Sequence, residues 1–264
     1  MAVPPTPFVN FVVVGVQKAG TSALFHFLAQ HPQVAMPTVK ELHFFDDDRR
    51  CWDAPDYRDY HGRFPRRRGC VVGEATPSYI WWPGALARLA DYNPRLKVIA
   101  LFRDPVDRAH AHWRMSRARG LDALDFSTAI RAEGRRLDGL APQAPERRHL
   151  SYVARGFYGQ QVDRLYDVFP RRQVLMLRKE DLANDHAATL ARVFAFLGLP
   201  PAKIEPCRIF EGAASEAPAP QDVAYLAATY AADLARFALL TGLPVSAWAG
   251  GCARGPAPAD GRCG

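Results

Sequence analysis

Apolar runs of strand length alternate with amphipathic stretches along most of this chain. Four apolar runs predict buried strands, at 9–16, 70–74, 96–102 and 173–177. Amphipathic spacing predicts helices at 21–31, 84–92, 151–169, 190–197 and 223–237, with another beginning at Pro105. This order predicts an α/β fold in which helices flank a central parallel sheet and ligands bind at the carboxyl ends of the strands.

Other stretches show no clear period. Residues 38–48 predict a loop with local structure. Residues 134–150 are rich in Arg, Pro and Gly, and we expect a mobile loop that acts as a flap on the substrate side. The tail 249–264 is rich in Gly, Ala and Pro, so we expect it to be disordered. The sequence therefore predicts one domain, 8–248, followed by that tail.

Composition narrows the class of protein. The 264 residues carry a net charge of +7, which suits an anionic ligand. The arginines are spread along the chain without a DNA- or RNA-binding motif, so we expect no nucleic-acid partner. No run approaches the roughly 18 to 20 apolar residues of a membrane span, and the N-terminus lacks a signal-peptide pattern, so we expect a cytoplasmic protein without a membrane span. The five cysteines form no C-x-x-C pair, which predicts neither a zinc site nor a disulfide framework.

The junction between the first strand and the first helix carries the main chemical signal. It reads Gln17-Lys18-Ala19-Gly20-Thr21-Ser22. Backbone amides, two hydroxyls and a lysine around one helix start can hold a phosphate. The spacing is close to the nucleotide-binding P-loop, G-x-x-x-x-G-K-[ST], but the lysine lies inside the loop. The alternative is a plain turn in which Thr21 caps the helix.

Two further positions suggest chemistry at the same sheet edge. Arg103 ends the run 96–102, where its guanidinium can bind a second phosphate or pair with Asp104 or Asp107. In the segment 40–45, an extended backbone would place Glu41 and His43 on one side, and a partly apolar pocket would raise the pKa of Glu41 so that it acts as a general base. The alternative is a surface turn in which Lys40 pairs with Glu41.

The turn 73–79 is open to two interpretations. Glu74 ends a predicted strand, and Thr76 and Ser78 supply hydroxyls. These residues line an acceptor pocket, or the hydroxyls only satisfy the backbone of the turn.

Together these residues resemble the sulfotransferases that use 3′-phosphoadenosine 5′-phosphosulfate (PAPS), in particular the branch with the heparan sulfate sulfotransferases and their bacterial relatives. The blocks that carry the resemblance are VVVGVQKAGTSAL, KELHFF, GEATPSY and VIALFRDPVDRAHAHW. The likeness extends over about residues 9–248 and implies PAPS as the sulfuryl donor, no metal, and in-line transfer to a hydroxyl or amine of a carbohydrate or small molecule.

The resemblance also implies roles for individual residues. Lys18 stands where the family's lysine stabilises the leaving oxygen, Glu41 stands at the general base, and His43 would assist it or orient the acceptor. The 5′ end of the nucleotide would be held by Gln17, Lys18, Ala19, Gly20, Thr21 and Ser22. Arg103 would hold the 3′-phosphate.

The sequence departs from the family pattern in three places. Ala111 stands where many members have a serine that also binds the 3′-phosphate, and Ala75 stands where the heparan enzymes have a lysine. A Lys-Gly-Arg cofactor segment near the C-terminus is missing. Arg208, Arg155 and Lys179 are the candidates to compensate, and the sequence does not choose among them.

Two other functions compete with sulfuryl transfer. A P-loop kinase of small molecules predicts a lysine directly before Thr21 and an acidic strand end for magnesium, whereas the chain has Gly20 and Arg103 there. A nucleotide-binding homologue without turnover is favoured by Ala111 and opposed by Lys18.

Overall fold

The computed structural model describes residues 8–207 and 217–248 of the chain. Within these residues the strands are β1 (Phe11–Gly15), β2 (Val34–Ala35), β3 (Val71–Ala75), β4 (Lys97–Phe102) and β5 (Val174–Arg178). The α-helices are α1 (Thr21–Ala29), α2 (Arg58–Gly62), α3 (Ala85–Tyr92), α4 (Pro105–Ala118), α5 (Phe126–Leu137), α6 (Pro145–Leu150), α7 (Tyr158–Val168), α8 (Lys179–Asn184), α9 (His186–Leu197) and α10 (Pro220–Thr241). Short 3-10 turns lie at Ala154–Gly156 and Arg171–Gln173.

The strands form one parallel sheet in the order β2-β3-β1-β4-β5, with helices packed against it. This confirms the predicted fold class. Every residue of β1 is buried, and so are all residues of β4 except the first, as expected for central strands covered on both faces. The predicted strand positions agree with β1, β3, β4 and β5 to within about two residues, while β2 is too short to leave a periodic signal.

The sheet topology places three loops side by side. The carboxyl ends of β1, β4 and β5 are neighbours, so residues 17–20, Arg103 and Lys179 lie along one edge. Close packing fixes the end of β1, because a Cβ on Gly15 would lie 2.3 Å from Cγ2 of Ile80. The candidate chemistry is therefore gathered where parallel sheets bind ligands.

The prediction of a loop over the whole of 134–150 is wrong, although residues 138–144 do connect two helices without helical structure of their own. Its first residues complete α5, and its last residues form α6, which packs against α4 and α5. Arg136 of α5 forms ion pairs with the buried Asp122, and Arg147 donates to the carbonyl oxygens of Leu137 and Leu140. The arginines that obscured the period in the sequence thus anchor these helices.

Helix α10 is long and apolar enough to cross a membrane, judged by length and composition alone. Its buried side chains, among them Leu226, Tyr230 and Phe237, belong to the core and face α7 and α4. The predicted tail 249–264 and Arg208 lie outside the described residues.

Candidate functional site

The loop after β1 presents the start of α1 to a large cavity. Gly20 is the residue before the helix and has a left-handed backbone, with φ 94°, and no described side chain caps the helix there. Thr21 is the first helical residue and not the cap, so the simple capping interpretation is wrong. The first amides of α1 therefore remain available to an anion, which the helix dipole favours at this end.

The cavity has a volume of about 2030 Å³. Among the residues predicted to bind or react, those lining it are Gln17, Lys18, Gly20, Thr21, Ser22, Glu41, Arg103 and Ala111. Residues distant in sequence thus meet at one space. Its size exceeds that of typical ligand pockets, which leaves room for a nucleotide and a second substrate.

Ala19 does not fit the predicted role. Its side chain is fully buried, and its amide already donates to the carbonyl oxygen of Val16 at 3.2 Å. Ala19 therefore sets the shape of the loop and offers no free donor to a ligand.

Lys18 faces the cavity among other cations. Its pKa is lowered from the usual value by burial, and the charges of Arg119 and Arg103 lower it further, whereas Glu41 raises it. The nearest partner of its ammonium group is the sulfur of Met115, at 3.9 Å. This cation is poorly compensated by the protein, which favours an anionic ligand beside it.

Arg103 reaches the same space from the end of β4. Its guanidinium lies 3.5 Å from the carboxylate of Asp107 and donates to the carbonyl oxygen of Lys18 at 3.4 Å. Tyr158 donates to the carbonyl oxygen of Arg103 at 2.9 Å and fixes its backbone. The pairing with Asp107 and the exposure to the cavity, which the sequence presented as alternatives, occur together.

Glu41 lines the other side of the cavity, and the segment 40–46 that carries it is not an extended strand. Glu41 has φ 65° and His43 has φ 51°, both in the left-handed region. The two side chains nonetheless meet, with Nε2 of His43 3.5 Å from Oε2 of Glu41. Lys18, with φ 71°, is the third non-glycine residue with positive φ, and the described part of the chain contains no other. Such strain is uncommon away from functional sites.

The protonation states of Glu41 and His43 differ from expectation. Burial alone would raise the pKa of Glu41, but the hydrogen bond from His43 and the charge of Lys40 lower it to about 2. Burial would lower the pKa of His43, but hydrogen bonds to Asp46 and Glu41 raise it to about 9. At neutral pH the site therefore holds an ionised Glu41 beside a protonated His43.

Asp46 is the residue that the sequence analysis missed. Its carboxylate is fully buried and lies 2.9 Å from Nδ1 of His43. Ser78 donates to it at 2.6 Å, and Arg148 of α6 donates to it at 2.6 Å. Burial would raise the pKa of Asp46, but the hydrogen bonds from His43 and Ser78 and the charges of His43 and Arg148 together lower it to about 2. The signal for Asp46 in the sequence was its position three residues after His43.

Glu74 belongs to the core and not to the acceptor side. Its fully buried carboxylate accepts hydrogen bonds from the hydroxyls of Tyr60, Thr76 and Tyr79. Burial raises its pKa to about 7. Within the turn, the hydroxyl of Thr76 thus serves the core, and the hydroxyl of Ser78 reaches the site through Asp46. Pro77 lines the cavity directly.

Comparisons with known proteins agree on one family. The model of the sulfotransferase domain matches residues 9–213. Mouse heparan sulfate glucosamine 3-O-sulfotransferase 6 is 36% identical over 193 residues, which cover 73% of this chain and 53% of that protein. Human heparan sulfate glucosamine 3-O-sulfotransferase 3B1 is 34% identical over 192 residues, covering 71% and 45%. The chain spans about half the length of these relatives. The crystal structure of a sulfotransferase from Alicyclobacillus acidocaldarius is 31% identical, with a TM-score of 0.76, covering 91% of this chain and 98% of that one.

Proposed function

The chain belongs to the sulfotransferase domain family, and from this premise we propose that it transfers the sulfuryl group of PAPS to a hydroxyl or amine of a carbohydrate or small-molecule acceptor. The observation that carries the proposal is the strained cluster at the cavity. Lys18, Glu41 and His43 alone among the described non-glycine residues have positive φ, and all three belong to this site. Such a backbone conformation costs about 1–3 kcal/mol per residue, and the fold holds three residues of this site in it.

The residues around the loop fit a nucleotide that carries phosphate groups. The uncapped start of α1 offers amides, the hydroxyls of Thr21 and Ser22 lie beside it, and Lys18 supplies a positive charge. Arg103 supplies a second cation at the same edge. PAPS, when bound, supplies an activated sulfuryl group next to a phosphate oxygen that becomes the leaving group. Lys18 would place its positive charge beside that oxygen, which becomes more negative as the sulfuryl group leaves. The ammonium group would already be in position before the reaction.

Glu41 is the better candidate for the general base. It is ionised over the neutral range and lines the cavity, so it can accept the proton of an acceptor hydroxyl, but its pKa of about 2 makes it a weaker base than the raised pKa expected from the sequence. His43 is protonated there and cannot take a second proton, which leaves it to orient Glu41. Asp46 is a positioning residue, because it holds His43 through Nδ1.

The acceptor class rests on the relatives. Two of them are named for transfer to a glucosamine of heparan sulfate. Ala75 stands where the sequence pattern of the heparan enzymes has a lysine, so we propose a carbohydrate or small-molecule acceptor and do not extend the heparan substrate to this chain. Trp113 lines the cavity and offers it a ring. Arginine guanidinium groups of this chain cover the rings of Trp52, Trp81 and Trp82 more closely, at 3.5–4.4 Å from the ring centres, than the ring of Trp113, where Arg117 lies at 5.8 Å.

Binding separates the proposal from its alternatives. Adenosine 3′,5′-bisphosphate should raise the melting temperature by several degrees at saturation, because a ligand that binds only the folded state stabilises it. Stabilisation by ATP with magnesium, but not by the bisphosphate, would favour the kinase. Binding of the bisphosphate without transfer from labelled PAPS to a broad panel of sugars, phenols and amines would favour a homologue without turnover.

We further propose that α10 is a core helix and that the protein acts in the cytoplasm. Asp233 of α10 accepts hydrogen bonds from the amides of Gly159 and Gln160 at the start of α7, at 2.7 and 3.1 Å. A charged residue engaged in this way supports packing against α7 over insertion into lipid. The cysteines among the described residues are unpaired, which is usual in a reducing compartment. Fractionation of cells that produce the whole protein would test both points, since a membrane span would leave it in the pellet after a carbonate wash.

A further inference from the structure

A half-buried lysine lies directly after β5, beside the nucleotide loop. Lys179 is the first residue of α8 and lines the cavity with Gly20 and Arg103. Its aliphatic stem packs over the loop, since a Cβ on Gly20 would lie 3.5 Å from Cγ of Lys179. The stem is thus held against the loop, and the ammonium group is directed to the space that Arg103 also faces.

The charge of Lys179 is not neutralised within the described part of the protein. No described carboxylate lies within ion-pair distance of its ammonium group, although Asp107 and Glu180 raise its pKa slightly from farther away. Burial lowers that pKa from its usual value, and the charge of Arg103 lowers it further. Asp107 lines the same space and lies 3.5 Å from the guanidinium of Arg103, so it compensates part of this positive charge. Lys179 has no such ion pair among the described residues, and an anionic group that meets both cations would compensate the rest.

This second cationic group is distinct from the first. Lys18 and the start of α1 serve one anion, whereas Arg103 and Lys179 approach from the ends of β4 and β5. Ala111 of α4 also faces the cavity and offers no polar atom. The geometry thus provides for a ligand with two separate anionic groups, as in a nucleoside 3′,5′-bisphosphate.

Arg155, another candidate, is committed elsewhere. It is buried, and its guanidinium donates to the side chain of Gln17 at 3.1 Å and to the carbonyl oxygen of Arg148 at 3.2 Å. It also stacks on Trp81, 4.3 Å from the ring centre. It does not line the cavity, and Arg208 lies outside the described residues.

We propose that Lys179 binds the 3′-phosphate of the nucleotide together with Arg103 and takes the place of the hydroxyl that is missing at Ala111. This inference rests on the proposed function, because it takes a 3′,5′-bisphosphate nucleotide as the ligand. Lys179 is a binding residue in this scheme and has no part in proton transfer.

The test compares two nucleotides that differ only in the 3′-phosphate. Calorimetry would give the affinities of adenosine 3′,5′-bisphosphate and adenosine 5′-monophosphate for wild type and for Lys179→Met. We expect the bisphosphate to bind roughly 10- to 100-fold more weakly to the variant, as for loss of a charged hydrogen bond, and the monophosphate to change less than about threefold. Lys203→Met, an exposed lysine paired with Glu205, is the matched control and should change neither affinity.

The outcomes separate this inference from the function on which it rests. Wild type that binds both nucleotides equally would overturn the proposed function and this inference with it. Wild type that prefers the bisphosphate, with the preference unchanged in Lys179→Met, would overturn this inference alone. If Lys179→Met lost affinity for both nucleotides equally, this inference would also be overturned, because Lys179 would then act on the 5′ end of the nucleotide or on the fold.

Three further variants guard against misfolding and test whether Lys179 replaces the hydroxyl that is missing at Ala111. Lys179→Gln keeps a polar end on a side chain that is one atom shorter, removes the charge and should lose the bisphosphate preference, whereas Lys179→Arg should keep most of it. Adding Ala111→Ser to Lys179→Met should restore part of the preference, about threefold to tenfold, by supplying a hydroxyl. The assignment would be contradicted if Lys179→Gln kept the bisphosphate preference and Ala111→Ser restored none of it in Lys179→Met.

Discussion

The two sides of the site handle charge in opposite ways. Residues 17–22, Arg103 and Lys179 are called the nucleotide wall, because we propose that they hold PAPS. Residues 40–46 are called the acceptor wall, because we propose that Glu41 of this segment faces the acceptor. On the nucleotide wall, Lys18 and Lys179 face the cavity among other cations, and burial and repulsion lower their pKa values. On the acceptor wall, His43 lies between the carboxylates of Glu41 and Asp46, and each charge has a partner. One wall depends on its ligand for compensation, and the other is compensated before any ligand binds.

This difference predicts which property each variant changes. A residue of the nucleotide wall can be neutralised with little loss of stability, because its charge is unfavourable in the free protein, but the ligand then loses a partner. A residue of the acceptor wall supports its neighbours, so its loss should affect folding and pH dependence as well as turnover.

The largest expected effect is on turnover in Lys18→Met. Loss of one preorganised charge at the leaving oxygen should lower the single-turnover rate by roughly 10²- to 10³-fold. The melting temperature should stay level or rise, because repulsion from Arg119 and Arg103 is removed. A rate assay with saturating PAPS and a thermal melt would check both, with Lys203→Met as the control. A slow variant that is also strongly destabilised would break the comparison, since Lys18 would then be part of the structural network.

The nucleotide wall was also the easier one to predict from sequence. The loop 17–22 is contiguous, and Arg103 directly follows an apolar run, so local order places them at the sheet edge. The acceptor wall depends on left-handed backbone at Glu41 and His43, which no propensity predicts for these residues. The expected extended segment and the raised pKa of Glu41 were therefore both wrong.

The remaining differences have the same origin in tertiary structure. Asp46 was hidden in a run of three aspartates, and only the fold shows that it is the one buried against His43, Ser78 and Arg148. Arg148 comes from α6, in the region expected to be a mobile loop. Contacts between positions about one hundred residues apart leave no local pattern to read.

An intermediate effect is expected on stability in Asp46→Asn. The change removes the charge that pairs with His43 and Arg148, and the unfolding free energy should fall by roughly 1–3 kcal/mol. That is less than for a fully buried pair, because His43 and Arg148 are partly exposed. Urea unfolding would measure it. Asp56→Asn, which removes an exposed pair with Arg58, is the control and should leave the unfolding free energy unchanged.

The outcome for Asp46 also tests the contrast between the walls. If Asp46→Asn is as stable as wild type but has a lower turnover rate, the charges of the acceptor wall do not support the fold any more than those of the nucleotide wall do. If it is destabilised and the pKa of His43 falls, the carboxylate holds the histidine charged, as the geometry indicates.

The smallest and most specific effect is the pH dependence that His43 brings to stability. Its pKa is about 9 in the folded protein and about 6.5 when unfolded. A raised folded pKa means that its contribution is fully present below about pH 6.5 and is lost as the pH rises through about 9. The melting temperature of wild type should therefore fall towards that of His43→Gln over this window, whereas His26→Gln, exposed on α1, should run parallel to wild type. Thermal melts at pH 6, 7.5 and 9.5 would show it. A constant difference between wild type and His43→Gln would mean that the pKa of His43 is the same in the folded and unfolded states, and that the carboxylates of the acceptor wall do not stabilise its charge.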